Sequence, residues 1–175
     1  MDTNIKKINE PKWYILYTMP NYEKKIHNIL SRAGYQAYLP IVEEVRQWSD
    51  RKKRLQLPLL PNYVFINVLR HKAYETLHLK GIVKLLSGEN GPVFLSNDEI
   101  ETLKKLTDCK PSLITPNMCK GKRFQVINGP LTGLYGLVSE SRGKNRLSVR
   151  IESLGKCISV DIMKSDIIPV EEKVY

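Results

Sequence analysis

One discontinuity limits what this chain can fold into more than any other feature. Up to about residue 107 the sequence mixes strand-like and helix-like periodicity; beyond residue 119 it holds only short strand-like runs punctuated by glycine. Residues 107–119, between the two, carry two prolines, two cysteines and no periodicity. A change of grammar across such a segment predicts two domains and a linker. The 175-residue length suits that division, since domains commonly run ~100–150 residues. The expected plan is a loose polar stretch over 1–12, a first domain over 13–107, a linker over 108–119 and a second domain over 120–175.

In the first domain, Trp13–Thr18 reads as a strand that is apolar on both faces, hence central. Pro20–Lys25 opens a helix whose stripe is Tyr22, Ile26, Ile29, Leu30 and Ala33, with Gly34 as its stop. Lys24, Lys25, Asn28 and Arg32 form the outer face of that helix. Tyr35–Leu39 is a strand ending at Pro40. Val42–Trp48 and Leu55–Leu60 read as hairpin arms around a charged tip, Ser49–Arg54, and Pro58 and Pro61 mark the return arm as an edge or an early end. Asn62–Leu69 is a strand with Val64, Ile66 and Val68 on one face and Tyr63, Phe65 and Asn67 on the other. A short helix over His71–Leu79, a strand over Ile82–Leu86 and a second long helix follow. That helix starts at a capping box, Ser96 to Glu99, flanked by Leu95 and Ile100 at the hydrophobic-staple positions, and buries Ile100, Leu103 and Leu106. Interleaved helices and strands around one hairpin predict an α+β sandwich close to a split βαβ arrangement.

In the second domain, strand-like runs at Phe124–Ile127, Leu134–Ser139, Arg146–Ile151 and Cys157–Ile162 are separated by Gly129, Gly133, Gly136, Gly143 and Gly155. Short strands at this spacing predict a small β-barrel.

Motifs for chemistry are missing. No G-x-S-x-G, H-E-x-x-H or Walker-type loop occurs, and the second domain has no histidine. Glu43 and Glu44 on a hairpin arm read as solvated charges. His27, His71 and His78 make no ligand pattern. The expectation is a protein that is not an enzyme and uses no cofactor or metal. Three cysteines, Cys109, Cys119 and Cys157, are odd in number and without C-x-x-C spacing, which predicts reduced thiols in a cytoplasmic protein. No apolar run approaches the ~20 residues of a membrane helix, and Met1–Lys7 is followed by no apolar stretch that would mark a signal peptide.

The charge points to binding. Lysine and arginine outnumber aspartate and glutamate 28 to 18, for a formal net charge of +10. The excess is spread, with net +6 over residues 1–110 and net +4 over 111–175. Such a spread suits attraction to nucleic acid or to an acidic partner, or plain solubilising charge. Three candidate surfaces stand out. Tyr17, Tyr63 and Phe65, with Leu60 at their edge, either fill core or line a partner-facing pocket. Arg51, Lys52, Lys53 and Arg54 form either a phosphate-seeking hairpin tip or a solvated turn. The Lys24, Lys25, Asn28 and Arg32 helix face is either a phosphate-contacting stripe or an ordinary wet face.

At these residues the sequence resembles a known family. Trp13-Tyr14 with Tyr17, followed by Pro58-Leu59-Leu60-Pro61-Asn62-Tyr63-Val64-Phe65, is similar to the W-Y and F-P-x-Y-V/L-F/L-V signature of NusG amino-terminal domains. Gly121–Val138 resembles a KOW motif, G-x-x-V-x-I-x-x-G-P-[FL]-x-G-x-x-G-x-V. The Leu60–Phe65 stretch is similar to RfaH-type paralogues, and Val45–Arg51 to UpxY-type capsular polysaccharide antiterminators. The resemblance implies a NusG amino-terminal-like α/β sandwich followed by a KOW β-barrel. It implies a transcription elongation and antitermination factor that suppresses pausing or termination, at specific operons such as polysaccharide loci. It implies a grip on RNA polymerase through Tyr17, Leu60, Tyr63 and Phe65, with His71 near the place of a second contact, and basic groups beside upstream or non-template DNA. The KOW domain would meet a ribosomal protein or Rho. Two alternatives stay open: a general NusG-like elongation factor, and a KOW-containing RNA- or ribosome-binding protein. In the RfaH type the second domain can become a helical hairpin; the alternation in Leu147–Ile151 and Ile158–Ile162 predicts a resting barrel here.

Overall fold

The first strand, β1 (Lys12–Thr18), runs through the middle of a sheet, as its double-sided apolarity requires. The structure is a computed structural model that describes residues 10–47, 51–114, 120–141 and 143–170. Most of the loose N-terminal stretch expected over 1–12 lies outside those residues. The chain divides into two compact units, Met1–Pro40 with Leu60–Ile100, and Ile41–Leu59 with Glu101–Tyr175. No helix among the described residues is long and apolar enough to cross a membrane.

In the first unit β1 pairs antiparallel with β5 (Tyr63–Val68), from Lys12↔Val68 to Tyr17↔Tyr63. β2 (Gln36–Tyr38) lies outside β5, and the far edge of β1 is shared by β6 (Ile82–Leu85) and β9 (Phe94–Leu95). A two-stranded ribbon of β7 (Ser87–Gly88) and β8 (Gly91–Pro92) links those last two. Ile15, Leu16, Val64, Phe65 and Ile66 have no exposed surface, so both faces of the sheet are core.

Helix α1 (Glu23–Arg32) follows the expected stripe at Ile26 and Leu30, which are buried. It ends in a Schellman motif: Tyr35 N–H donates to Leu30 O at 3.0 Å and Gly34 N–H to Ser31 O at 3.1 Å, with Gly34 at φ +83°. Helix α2 (Arg70–Glu75) is short and runs into a 3-10 turn, Thr76–His78. Helix α3 (Asn97–Thr107) starts as its sequence predicts. Glu99 N–H donates to Ser96 Oγ at 3.2 Å and Ser96 N–H donates to Glu99 Oε2 at 2.9 Å. Leu95, Ile100, Leu103 and Leu106 are all buried.

The tripeptide Pro-Asn-Tyr occurs twice and folds the same way twice. In Met19-Pro20-Asn21-Tyr22 and in Leu60-Pro61-Asn62-Tyr63 the asparagine is left-handed, at φ +65° and +69°. In each, the tyrosine N–H donates to the carbonyl three residues earlier, at 3.1 Å and 3.3 Å. Proline followed by a residue at positive φ is the pattern of a type II turn. The first turn is tied down by Met19 N–H donating to Gly81 O at 2.8 Å, and the Tyr22 ring lies against Gly81.

In the second unit β3 (Ile41–Gln47) and β4 (Lys52–Pro58) form a separate two-stranded ribbon, paired from Ile41↔Pro58 to Gln47↔Lys52. β4 ends at its proline, as expected. The placement of the basic run needs correction: Lys52, Lys53 and Arg54 belong to the return strand and not to the tip. Charge alone reads as a turn, but the ladder runs through Lys52, Lys53 and Arg54, which pair with Gln47, Arg46 and Val45. Residues 48–50, which include part of the expected tip, lie outside the described ones.

The rest of this unit is an antiparallel sheet in the order β10-β14-β13-β12-β11-β15. Its strands are β10 (Ser112–Ile114), β11 (Lys122–Val126), β12 (Tyr135–Ser141), β13 (Lys144–Ile151), β14 (Lys156–Ile162) and β15 (Ile167–Pro169). Val126, Leu147, Val149, Ile151, Ile158 and Val160 fill its inner face. The four expected strands are present and extended; β10, within the stretch read as linker, and β15 are additions at the two ends. Gly136 on β12 is a close-approach position, where a Cβ would meet Leu147 Cδ1 at 2.7 Å and Ser148 O at 2.8 Å. The expectation of reduced thiols fails at Cys157, which is buried and disulfide-bonded. Cys109 is free, and burial, then Asp108, push its thiol up.

Gly81→Ala is expected to lower the unfolding free energy by about 2–4 kcal/mol, from strain at positive φ together with displacement of the Tyr22 ring. Gly34→Ala, where a Cβ would meet nothing within 4 Å, carries the strain alone. Urea denaturation of the two variants separates the contributions. Equal midpoints would show that the ring contact adds nothing.

Candidate functional site

The second Pro-Asn-Tyr turn builds the site. Asn62 is held by three hydrogen bonds. Its N–H donates to Glu23 Oε1 at 2.8 Å, its Nδ2 donates to Thr18 O at 3.1 Å, and its carbonyl accepts from Thr18 N–H at 2.8 Å. Glu23, only 5% exposed, therefore reaches from the first turn of α1 to the chain entering β5. The end of β1, the start of β5 and the start of α1 converge on one residue, Asn62.

That fixes Tyr63 directly opposite Tyr17. Cross-strand partners share a face, and here the rings meet edge to face, with centroids 5.6 Å apart and planes at 81°. Both are half-buried. Lys84, opposite Tyr17 on β6, carries its Nζ 5.8 Å from the Tyr17 ring centroid. Burial, then the neighbouring Tyr17 phenol, raise the Tyr63 phenol above its ordinary range. The site is thus a pair of half-buried rings flanked by a cation.

The other predicted members fall elsewhere. Phe65 lies on the same face, one step along β5, but is fully buried and stacks on Tyr38 at 6.2 Å and 28°. Leu60 is 1% exposed, and its carbonyl closes the turn by accepting from Tyr63 N–H. In this conformation neither presents surface to a partner. His71 is exposed on α2 and is not brought to the pair. Alternation along β1 puts Tyr14 on the opposite face from Tyr17. Tyr14 senses the α2 residues: burial chiefly raises its phenol, Arg70 lowers it, and Tyr74 raises it. Glu23, Asn62, Tyr38 and Lys84 were missed by sequence reasoning. The recurrence of Pro-Asn-Tyr was the available signal for Asn62; a buried glutamate in a charged helix start gives none.

Two basic surfaces complete the inventory, each within its own unit. Lys24, Lys25, Asn28 and Arg32 are all exposed on α1, and Lys24, Asn28 and Arg32 follow one another at helical spacing. On the β3–β4 ribbon Lys52 and Arg54 share one face with Gln47 and Val45, while Lys53 points to the other face. Arg51 precedes β4 and is exposed.

Comparison with known proteins gives a consistent result. A family model described as "Transcription termination factor nusG" matches residues 11–104. The transcription termination/antitermination protein NusG of Rickettsia bellii is 24% identical over 165 residues, covering 86% of each chain. That of Xylella fastidiosa is 25% identical over 177 residues, covering 86% of this chain and 95% of the relative. Among solved structures, "Domain interaction in Thermotoga maritima NusG" aligns with a TM-score of 0.55 and 24% identity, covering 93% of this chain and 98% of that one. At that identity the likeness concerns the fold.

Glu23→Ala is expected to destabilise the first unit by about 1–3 kcal/mol, since it leaves the Asn62 N–H without its acceptor. In NMR spectra of the folded variant, cross-peaks between the Tyr17 and Tyr63 rings should weaken with it. Cross-peaks and stability both unchanged would separate the Glu23 contact from the ring pair.

Proposed function

Because the chain belongs to the NusG family of transcription termination and antitermination factors, we propose that it docks on RNA polymerase and suppresses pausing or termination. We infer further that it does so as a specialised paralogue, at particular operons such as polysaccharide loci. One observation carries the docking assignment: Tyr17 and Tyr63, from the two separate signature segments, meet edge to face on adjoining strands and are only half-buried. Aromatic side chains held rigidly at a surface supply much of the energy of typical interfaces, ~2 kcal/mol or more for each dominant residue. The pair would receive the clamp helices of the polymerase, with Leu60 and Phe65 as its floor. His71, on the helix against the opposite face of the sheet, suits a second contact across the cleft.

The mechanism is mechanical. A factor that holds both sides of the cleft disfavours the opened clamp of a paused polymerase. It needs only a differential affinity for the active state; ~3 kcal/mol shifts a two-state balance by about 150-fold. The α1 stripe (Lys24, Lys25, Asn28, Arg32) and the basic strand with its approach (Arg51, Lys52, Lys53, Arg54) supply phosphate contacts to upstream or non-template DNA. A two-stranded ribbon also has the dimensions of the major groove. Phosphate contacts position nucleic acid without reading its sequence. The C-terminal sheet would recruit a ribosomal protein or Rho. Restriction to particular operons is supported by the Val45–Arg51 similarity.

Tyr17→Ala and Tyr63→Ala are each expected to weaken binding of core RNA polymerase by about 30-fold or more while circular dichroism stays unchanged. Normal binding by the folded double variant would remove the docking assignment. Chromatin immunoprecipitation of the chain should give occupancy confined to a few transcription units. Genome-wide occupancy would assign it to general elongation instead.

A further inference from the structure

The ring pair has a third neighbour, and a fault in the ladder puts it there. β1 and β6 pair Leu16↔Leu85 and Tyr17↔Lys84, but then Thr18↔Ile82, so Val83 is an extra residue in β6. Had the pairing of Thr18 with Ile82 continued without a bulge, Val83 would stand opposite Tyr17. Lys84 would then stand opposite Leu16, which has no exposed surface. The bulge shifts Lys84 by one position, and with side chains alternating at every residue one position is the other face of the sheet. Val83 is left 55% exposed. The outcome is a row on one face across three adjoining strands: Tyr63 on β5, Tyr17 on β1 and Lys84 on β6.

The lysine is exposed, and its Nζ, 5.8 Å from the Tyr17 ring centroid, is at the outer limit of a cation–π contact. No ion pair among the described residues includes it. The carboxylate built into the site cannot serve: Glu23 is 5% exposed and accepts from the Asn62 N–H, so it is committed to the turn. A helix laid on Tyr17 and Tyr63 would cover Lys84 at the rim of the contact. Removing water from an ammonium group without a counter-charge opposes docking, whereas a carboxylate at the facing position favours it. A valine opposite Tyr17, which the ladder without its bulge would supply, would only extend the apolar patch and accept any apolar helix face.

We propose that Lys84 is a specificity-determining residue of the docking surface, selecting a partner helix that presents an Asp or Glu beside the apolar side chains that meet the rings. This rests on the docking assignment above and adds the chemistry of the helix that the ring pair receives. The rings supply most of the affinity, and the lysine rejects helices that are neutral or basic at that point. A competing account treats Lys84 as an aliphatic stem packed on Tyr17 with its charge held out in water. The two differ in outcome, because a stem survives the loss of the charge.

The test measures binding of the full chain to core RNA polymerase at two salt concentrations, ~0.05 M and ~0.3 M. Circular dichroism checks that each variant is folded. Lys84→Arg, which keeps the charge, should bind within about twofold of the native chain. Lys84→Met, which keeps the stem, should bind about fivefold more weakly at the lower salt and depend less on salt. Lys84→Glu should lose about 30-fold or more, chiefly through slower association. Among clamp-helix variants with a single Asp or Glu changed to Lys, one should bind Lys84→Glu better than it binds the native chain. The proposal is overturned by native affinity in Lys84→Met, by equal losses in Lys84→Met and Lys84→Arg, by a loss that salt does not alter, or by the absence of any restoring clamp-helix variant. Tyr17→Ala and Tyr63→Ala in the same assay separate this from the docking assignment. If they lose binding while the Lys84 variants keep it, selection by charge alone fails. If they bind normally, the docking assignment fails and selection by Lys84 falls with it.

Discussion

The first unit depends on an asparagine held where most residues are strained. A left-handed backbone at Asn62 costs a residue with a Cβ roughly 1–2 kcal/mol, yet asparagine tolerates it when its side chain finds local partners. Here the side chain donates to the Thr18 carbonyl at the end of β1, and the backbone N–H donates to the Glu23 carboxylate at the start of α1. Each bond satisfies a polar group that would otherwise be left in a crowded place. Together they set the register in which β5 leaves the turn. A slip of one residue would turn Tyr63 to the other face of the sheet and bring Val64 in its place.

From that register the rest of the candidate surface follows. Tyr17 and Tyr63 share a face because opposite residues of an antiparallel ladder must, and they stay half-exposed while their neighbours Ile15 and Phe65 go under. The sheet thereby has a graded face: sealed core in the middle, aromatic edge at one end. The opposite face carries Tyr14, and with it α2 and His71.

Much of this was legible residue by residue. The capping box at Ser96 and the glycine stop at Gly34 are local devices whose partners lie within five residues, and both formed as read. The double-sided apolarity of Trp13–Thr18 correctly marked a central strand, and the alternation in Leu147–Ile151 and Ile158–Ile162 correctly marked extended chain. Reading failed where the deciding partner was distant. The basic run was read as a tip because four consecutive cations look solvated, whereas their strand is held by pairing with Ile41–Gln47. Ser112–Ile114 has too little pattern to declare itself a strand and acquires that state only by lying along β14. Cys157 betrays no pairing in its spacing.

What the sequence determined alone was the local grammar: two kinds of patterning, the ends of the helices, the faces of the strands and the positive charge. These depend on interactions a few residues long, with periods of 2 and 3.6. Tertiary structure decided which faces became surface. It sank Leu60 and Phe65, left Tyr17 and Tyr63 half in water, sent His71 to the other side of the sheet and buried a glutamate to hold a turn. Burial is a property of what packs against a residue, and for each of these the packing neighbour comes from a remote part of the chain.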